Sequence, residues 1–176
     1  KLEIKNKLDI GNIKIIPWLE NAEAIVNSYD ICSCSKRISG VAFGAEDFTH
    51  DMGINRLEDN SEIQYAKNII SISAKAAKII ALDTPFFKFK DNKKLKIDCQ
   101  KSKEIGFRGK FAIHPNQIKT INKAFLPSKK EILEAREIVA TYEKAEKKGR
   151  GSTSLKDQVI DIPVVKRAKD LLNLIK

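Results

Sequence analysis

Short apolar runs alternate with longer amphipathic stretches through the first two thirds of the chain. Residues 13–19, IKIIPWL, form a continuous apolar run closed by Glu20; residues 38–43, ISGVAF, form a second, closed by Gly44 to Asp47. A third run, 80–82, is closed by Asp83, and a fourth, 111–113, by His114 and Pro115. Runs this short and without polar alternation read as strands buried on both faces. Between them, Ala22 to Val26, the Ala-rich 62–79 and Lys94 to Ile105 carry apolar residues at helical spacing, and Gly106 stands where a helix cap belongs. Past the fourth run the pattern turns helical: Gln117 to Phe125, then a longer helix to about Lys147. Ser128 opens that helix, at capping-box spacing from Glu131. The stretch GRGSTS (149–154) reads as flexible, and 162–175 as an amphipathic helix starting near Pro163.

Glu20, Asp47, Asp83 and His114 therefore end four apolar strands at spacings of 27, 36 and 31 residues. A strand–helix–strand unit takes about 30 residues or more, so the pattern predicts four successive βα units and a parallel α/β sheet. Each unit places a polar residue at the C-terminal end of its strand, where sheets and barrels of this class keep their active sites.

Composition narrows the function classes. The chain has 176 residues, 42% hydrophobic and 32% charged, as a globular domain should. Its apolar runs are far too short to cross a membrane, and no secretory signal is visible. It opens KLEIKNK, without an initiator Met. The net charge of +10 favours anionic partners, including phosphate-bearing small molecules. The cations are mostly scattered Lys, with few aromatics and no zinc-finger spacing, so a solvated surface is preferred over a nucleic-acid groove. Cys32, Cys34 and Cys99 are read as reduced thiols of an intracellular chain, and with only two His available a zinc site is disfavoured.

If Glu20 and Asp47 end neighbouring parallel strands, they lie about 5 Å apart at the backbone. Carboxylates that close repel, and one pKa rises unless a cation sits between them. All-oxygen ligation with open positions suits Mg2+, with Mn2+ as the alternative. The peptide N–H groups of Gly44 to Asp47 are placed to hold a substrate carboxylate. Taken singly, Asp47 reads as a turn cap and Glu20 as a helix cap; taken together, at equivalent points of successive units, they read as a metal pair.

Five stretches carry a family resemblance: IIPWLENAEAIVN (15–27), GVAFGAEDFTHDMG (40–53), QYAKNIISISAKAAKIIALDTPFFKFKD (64–91), GFRGKFAIHPNQIKTINKAFLPS (106–128) and VIDIPVVKRA (159–168). In this order they resemble the beta subunit of citrate lyase, the citrate lyase beta-like proteins and the malyl-CoA lyases of the HpcH/HpaI aldolase superfamily. The resemblance implies a (β/α)8 TIM barrel of the phosphoenolpyruvate/HpcH-HpaI type. Here the last four βα units would fill residues 1–127, and a C-terminal helical extension and lid residues 128–176. It implies Mg2+ held by Glu20 and Asp47, a substrate carboxylate at Ala45, Glu46 and Asp47, and acyl-CoA contacts at Lys110, His114, Pro115 and Gln117. The lid acid, acting from a neighbouring subunit, falls on Asp161. The implied chemistry is Claisen-type cleavage or condensation of a 2-hydroxyacyl-CoA such as citryl-, malyl- or citramalyl-CoA, yielding a 2-oxo acid. The implied assembly is a trimer or hexamer, and the implied compartment the cytoplasm, or the mitochondrial matrix in a eukaryote. Malate synthase or thioesterase activity at the same site, and a catalytically incompetent CoA-binding relative or fragment, are the alternatives.

Departures bear on those alternatives. A complete barrel takes about 250 residues. The family's early paired acids and strand-three Arg have no counterpart here, so an open sheet edge and an unfilled interior are expected. Lys67 stands where the family often has Arg, and Asp157 where the lid usually has Gly. Asp83 and Asp91 match the pattern without an assigned role. His50 reads as a surface residue, and Asp161 by itself as a helix cap ahead of Pro163.

Overall fold

In the computed structural model, which describes residues 1–175, the chain forms two compact units that meet between Phe125 and Leu126. The first contains α1 (Leu2–Lys5), β1 (Trp18–Leu19), α2 (Ala22–Val26), α3 (Ser28–Ser33), β2 (Gly40–Phe43), α4 (Ala45–Asp51), α5 (Gln64–Ala76), β3 (Ile80–Asp83), α6 (Asn92–Glu104), β4 (Gly109–Lys110) and α7 (Pro115–Phe125). Its four strands are parallel and stand in sequence order, as the βα pattern predicts. No helix among the described residues is long and apolar enough to cross a membrane.

Two strands differ from their apolar runs. In the first run only Trp18 and Leu19 join the ladder, preceded by an isolated bridge between Ile15 and Ile38. Pro17 has no N–H to give, although its carbonyl accepts from Ala42. The fourth strand is Gly109–Lys110 rather than Phe111 to Ile113. Arg108 and Phe111 donate to the carbonyls of Ala81 and Asp83 on either side of it, and β3 ends there. Gly and Lys do not announce a strand, but each has a local reason. A Cβ on Gly109 would press within 3.0 Å of Leu82 Cδ2, and the Lys110 side chain is buried against acids.

The two faces of the sheet follow from alternation. Leu19, Val41, Phe43 and Ala81 face the helices and pack with Ile63, Ala66, Ile70, Ala74 and Phe107 in the main core. Trp18 and Ala42, paired across β1 and β2, face the other way. On that side the rings of Trp18 and Phe111 lie 4.5 Å apart, centroid to centroid. In a flat sheet the outer two of four strands would be about 14 Å apart. Contact between residues at opposite edges shows that the sheet curls over this face.

Asp83, at the end of β3, falls on the helix side. It is fully buried, and Lys110 Nζ donates to its Oδ2 at 2.6 Å. Lys67 Nζ from α5 lies 3.0 Å from Oδ1, and the Ser102 hydroxyl from α6 donates at 2.6 Å. Lys110 also pairs with Asp98 at 2.6 Å. Burial opposes charge on Asp83, yet Lys110 and Lys67 hold its carboxyl below the ordinary range. Burial likewise opposes charge on Lys110, and Asp83 and Asp98 raise it in spite of that. Asp91 caps α6 by accepting from the Lys94 N–H at 2.9 Å. The thiols of Cys32 and Cys99 are buried and pushed up to about 11, chiefly by desolvation.

The N-terminal segment is fastened by one acid. Buried Glu3 takes two bonds from the Arg37 guanidinium, at 2.8 and 2.5 Å, and others from the N–H groups of Gly11 and Ile13. Those bonds, the Arg37 contact first, hold its carboxyl at about 2.

The second unit opens with the expected capping box of Ser128 and Glu131 on α8 (Lys129–Glu146). Only the last two residues of the stretch 149–154 enter a strand: they begin a hairpin, β5 (Thr153–Leu155) against β6 (Gln158–Ile160), before α9 (Ile162–Asn173). Its two turn residues, Lys156 and Asp157, have φ of +48° and +64°, the left-handed pair that a two-residue hairpin turn needs. Asp157 thus holds, without glycine, the conformation for which glycine is favoured. Asp161 caps α9 by accepting from the Val164 N–H at 3.2 Å.

Two stability predictions follow from the buried acids. Replacing Lys110 by Met leaves Asp98 without a cation and Asp83 with Lys67 alone, and should cost about 3–5 kcal/mol in urea unfolding. Glu3, with its folded pKa lowered from 4.5 to about 2, stabilises above the unfolded value, and that share is lost as pH falls through this window. The protection of the Gly11 and Ile13 amides against exchange, relative to the intrinsic rate at each pH, should fall as pH drops through that window, and Glu3→Gln should lower it at neutral pH.

Candidate metal centre

Register brings the two expected metal acids together. Leu19 pairs with Phe43, and the Gly44 N–H donates to the Leu19 carbonyl at 3.0 Å, so Glu20 and Gly44 stand side by side where β1 and β2 end. Alternation turns Glu20 onto the face of Trp18, away from the helices. Gly44 leads into α4, and Asp47 lies in that helix's first turn. Gly44 to Asp47 is thus the start of a helix rather than the predicted turn, with Ala45, Phe48 and Thr49 buried beneath it.

Neither acid acts as a helix cap. Asn21 caps α2 by accepting from Ala24 at 2.8 Å, the Ala22 N–H goes to Asp51 at 2.8 Å, and α4 has no side-chain cap. Burial and the facing Asp47 carboxylate, close enough to share a proton, raise the Glu20 carboxyl above its ordinary range. Among the described residues no protein cation pairs with either acid. A Cβ on Gly44 would overlap Glu20 Oε2 and stand 2.7 Å from Glu20 Cβ, so glycine is what allows the carboxylate to lie over this corner.

These features suit a hard divalent cation. Two adjacent carboxylates repel until a positive charge enters, and both offer oxygen. No cluster of three or more metal-ligating side chains exists among the described residues, so the pair would leave most positions to water and substrate. Mg2+ commonly binds in this way, through one or two carboxylates.

The expected substrate contacts divide. Of the peptide groups from Gly44 to Asp47, two are already used: Gly44 bonds Leu19, and the Ala45 N–H donates to Thr84 Oγ1 at 3.2 Å. The first bond within α4 runs from Phe48 to Gly44, which leaves the Glu46 and Asp47 N–H groups ahead of it. Lys110 and Gln117, expected as substrate contacts, are buried. Lys110 is engaged by Asp83 and Asp98. The Gln117 amide donates to the Phe86 carbonyl at 2.6 Å and accepts from Ile113 at 2.9 Å. Parity explains Lys110, since its β partner Asp83 also faces the helices. His114 is half-buried and stacks on Phe89 with centroids 4.8 Å apart, and Pro115 opens α7. Asp161 belongs to the second unit, where it serves as the α9 cap.

Sequence reasoning passes over Thr84 and Arg56. Both line a cavity of about 470 Å³ beside the first turn of α4, together with Glu46, Phe86, Lys88 and Lys101. Thr84 directly follows Asp83, which was the only available signal; Arg56 offered none.

The chain has clear relatives. It is 38% identical over 165 residues to the citrate lyase subunit beta of Leuconostoc mesenteroides subsp. cremoris, covering 94% of this chain and 55% of that one. It is 30% identical to the mitochondrial citramalyl-CoA lyase of Rattus norvegicus, covering 98% of this chain and 54% of that one. The chain spans about half the length of the curated relatives it matches. Its fold resembles protein CitE from Mycobacterium tuberculosis, solved with magnesium, acetoacetate and coenzyme A. There the TM-score is 0.80 at 26% identity, over 91% of this chain and 60% of that one. The fold is also that of a citrate lyase from Burkholderia xenovorans LB400, with a TM-score of 0.86 at 21% identity, over 98% and 55% of the two chains. Residues 3–115 match the family model of the HpcH/HpaI aldolase/citrate lyase group, and the chain belongs to that family.

Proposed function

We propose that the protein is a Mg2+-dependent carbon–carbon lyase, cleaving or forming a 2-hydroxyacyl-CoA such as citryl-, malyl- or citramalyl-CoA. Its curled sheet corresponds to the last four strands of a (β/α)8 barrel. One observation carries the reading: Glu20, just after β1, faces Asp47, in the first turn of the helix that follows β2, and no cation of the chain pairs with either among the described residues. Family membership and the magnesium and coenzyme A bound by the Mycobacterium tuberculosis relative give that geometry its chemistry.

Glu20 and Asp47 would hold Mg2+, which when bound supplies Lewis-acid polarisation of the carboxylate and keto oxygens of a 2-oxo acid. The Glu46 and Asp47 N–H groups would orient that carboxylate. Asp161, presented by a neighbouring subunit of a homo-oligomer, would move the proton at the thioester α-carbon. Lys101 lines the cavity beside α4 and is suitably charged for a CoA phosphate; Lys88 and Lys94 line it too, paired with Glu58.

The test is calorimetric Mg2+ binding followed by cleavage of citryl-, malyl- and citramalyl-CoA, with release of free CoA distinguishing a thioesterase. Asp47→Asn and Glu20→Gln should each weaken Mg2+ by more than the roughly 10–100-fold that loss of an outer partner costs. Gly44→Ala should weaken it as well, because the new Cβ displaces Glu20. Asp47→Asn should leave the metal-free thermal midpoint unchanged or raised, since it relieves repulsion. Undiminished binding in both acid variants would overturn the metal pair. Binding without turnover of any ester would leave a CoA-binding relative.

A further inference from the structure

Two separate contacts fix the first turn of α4, and both originate in the buried cluster around Asp83. In the first, Thr84 follows Asp83 directly and is itself buried. Its hydroxyl oxygen accepts the Ala45 N–H, which would otherwise be an unpaired donor in a fully buried residue. The second is longer. Lys110, paired to Asp83, also pairs with Asp98; the other oxygen of Asp98 accepts from Asn60 Nδ2 at 2.9 Å. Asn60 Oδ1 in turn accepts from Arg56 Nη2 at 2.6 Å, and Arg56 Nη1 reaches Glu46 Oε1 at 2.5 Å. Arg56 Nε is occupied by Glu62 at 2.8 Å, so the guanidinium is gripped on three sides. Asn60 adopts φ of +62°, a conformation uncommon outside glycine, and in it both ends of its amide serve this chain of bonds.

We infer that Thr84 and Arg56 are positioning residues for the carboxylate pair, holding the α4 turn so that Asp47 faces Glu20. The inference rests on the metal-pair reading above and assigns neither residue any contact with metal or substrate. Asp47 is the carboxylate that faces Glu20, and Glu46, between Ala45 and Asp47 in the first turn of α4, is held by Arg56. Thr84 fixes the backbone one residue earlier. An amide at Ala45 without a partner would rotate the turn to find one, and Asp47, two residues on, would turn with it. In a helix of only seven residues, the contacts of the first turn bear directly on the ligand it carries.

The test measures Mg2+ affinity of the intact protein by calorimetry, alongside amide exchange at Ala45 and Glu46. Thr84→Val keeps the shape and removes the acceptor; Thr84→Ser keeps the acceptor. Thr84→Val should weaken Mg2+ about tenfold and expose the Ala45 amide, while Thr84→Ser restores both. Arg56→Gln should weaken Mg2+ by a similar factor, and it carries the test if Thr84→Val does not fold. A purely structural role would lower the thermal midpoint and leave Mg2+ affinity of the folded protein unchanged. That result, or equal loss in the Ser and Val variants, overturns the inference. Loss of binding in Asp47→Asn without loss in Thr84→Val or Arg56→Gln overturns the inference alone. No Mg2+ binding by the unaltered protein overturns the metal reading and the inference with it.

Discussion

Asp83 carries a charge in a position without water, and the elements around it are arranged to make that tolerable. Lys67 comes from α5, Ser102 and Asp98 from α6, and Lys110 from β4. Each group is satisfied only while the others stay in place, so the second half of the sheet and its two covering helices are held in one arrangement. Buried ion pairs often add little net stability, because desolvation takes back what attraction supplies. What they impose is geometry. A hydrophobic patch tolerates sliding; a lysine held between two carboxylates at 2.6 Å does not.

That geometry matters because of which side of the sheet it occupies. Alternation puts Asp83 and Lys110 among the helices, while Glu20 falls on the opposite, concave side. Strand ends that look equivalent in the chain are therefore split by parity into a structural pair and a pair of ligating type. The structural acid is surrounded by cations that the fold supplies. The other acids face each other uncompensated. Thr84 and the Arg56–Asn60–Asp98 series connect the two arrangements, since both reach from the buried cluster to the turn that bears Asp47.

Much of this was legible in the chain and some was not, for definite reasons. Four strands in order, the helices after them, the Ser128 capping box and the closeness of Glu20 and Asp47 all follow from local pattern and spacing. The position of β4 did not, because Gly109 and Lys110 owe their strand to contacts with Leu82 and Asp83 that lie distant in sequence. The interior fate of Lys110 and Gln117 was hidden for the same reason: a charged or amide side chain reads as exposed until its buried partners are known. The hairpin at 153–160 was missed because Lys156 and Asp157 adopt left-handed turn conformations without the expected glycine. Arg56 was invisible, since its three acceptors come together only in the fold.

Glu20 and Asp83 also respond to protons in opposite senses. A raised folded pKa means that the folded state holds its proton more readily than the unfolded one. Glu20 therefore costs stability as pH rises through its raised value, whereas Asp83 loses its contribution as pH falls through its lowered one. Ten more cations than acids are present in the chain, and yet the fold relieves only one of these sites. The neighbouring cations are committed elsewhere: Arg56 to Glu46 and Glu62, Lys88 to Glu58, Lys110 to Asp83 and Asp98. The pair can be relieved by taking a cation from solution, which would compete with protons for the same oxygens. A corner where, among the described residues, no cation of the chain pairs with either acid, on a protein so rich in positive charge, is what the proposed metal pair requires.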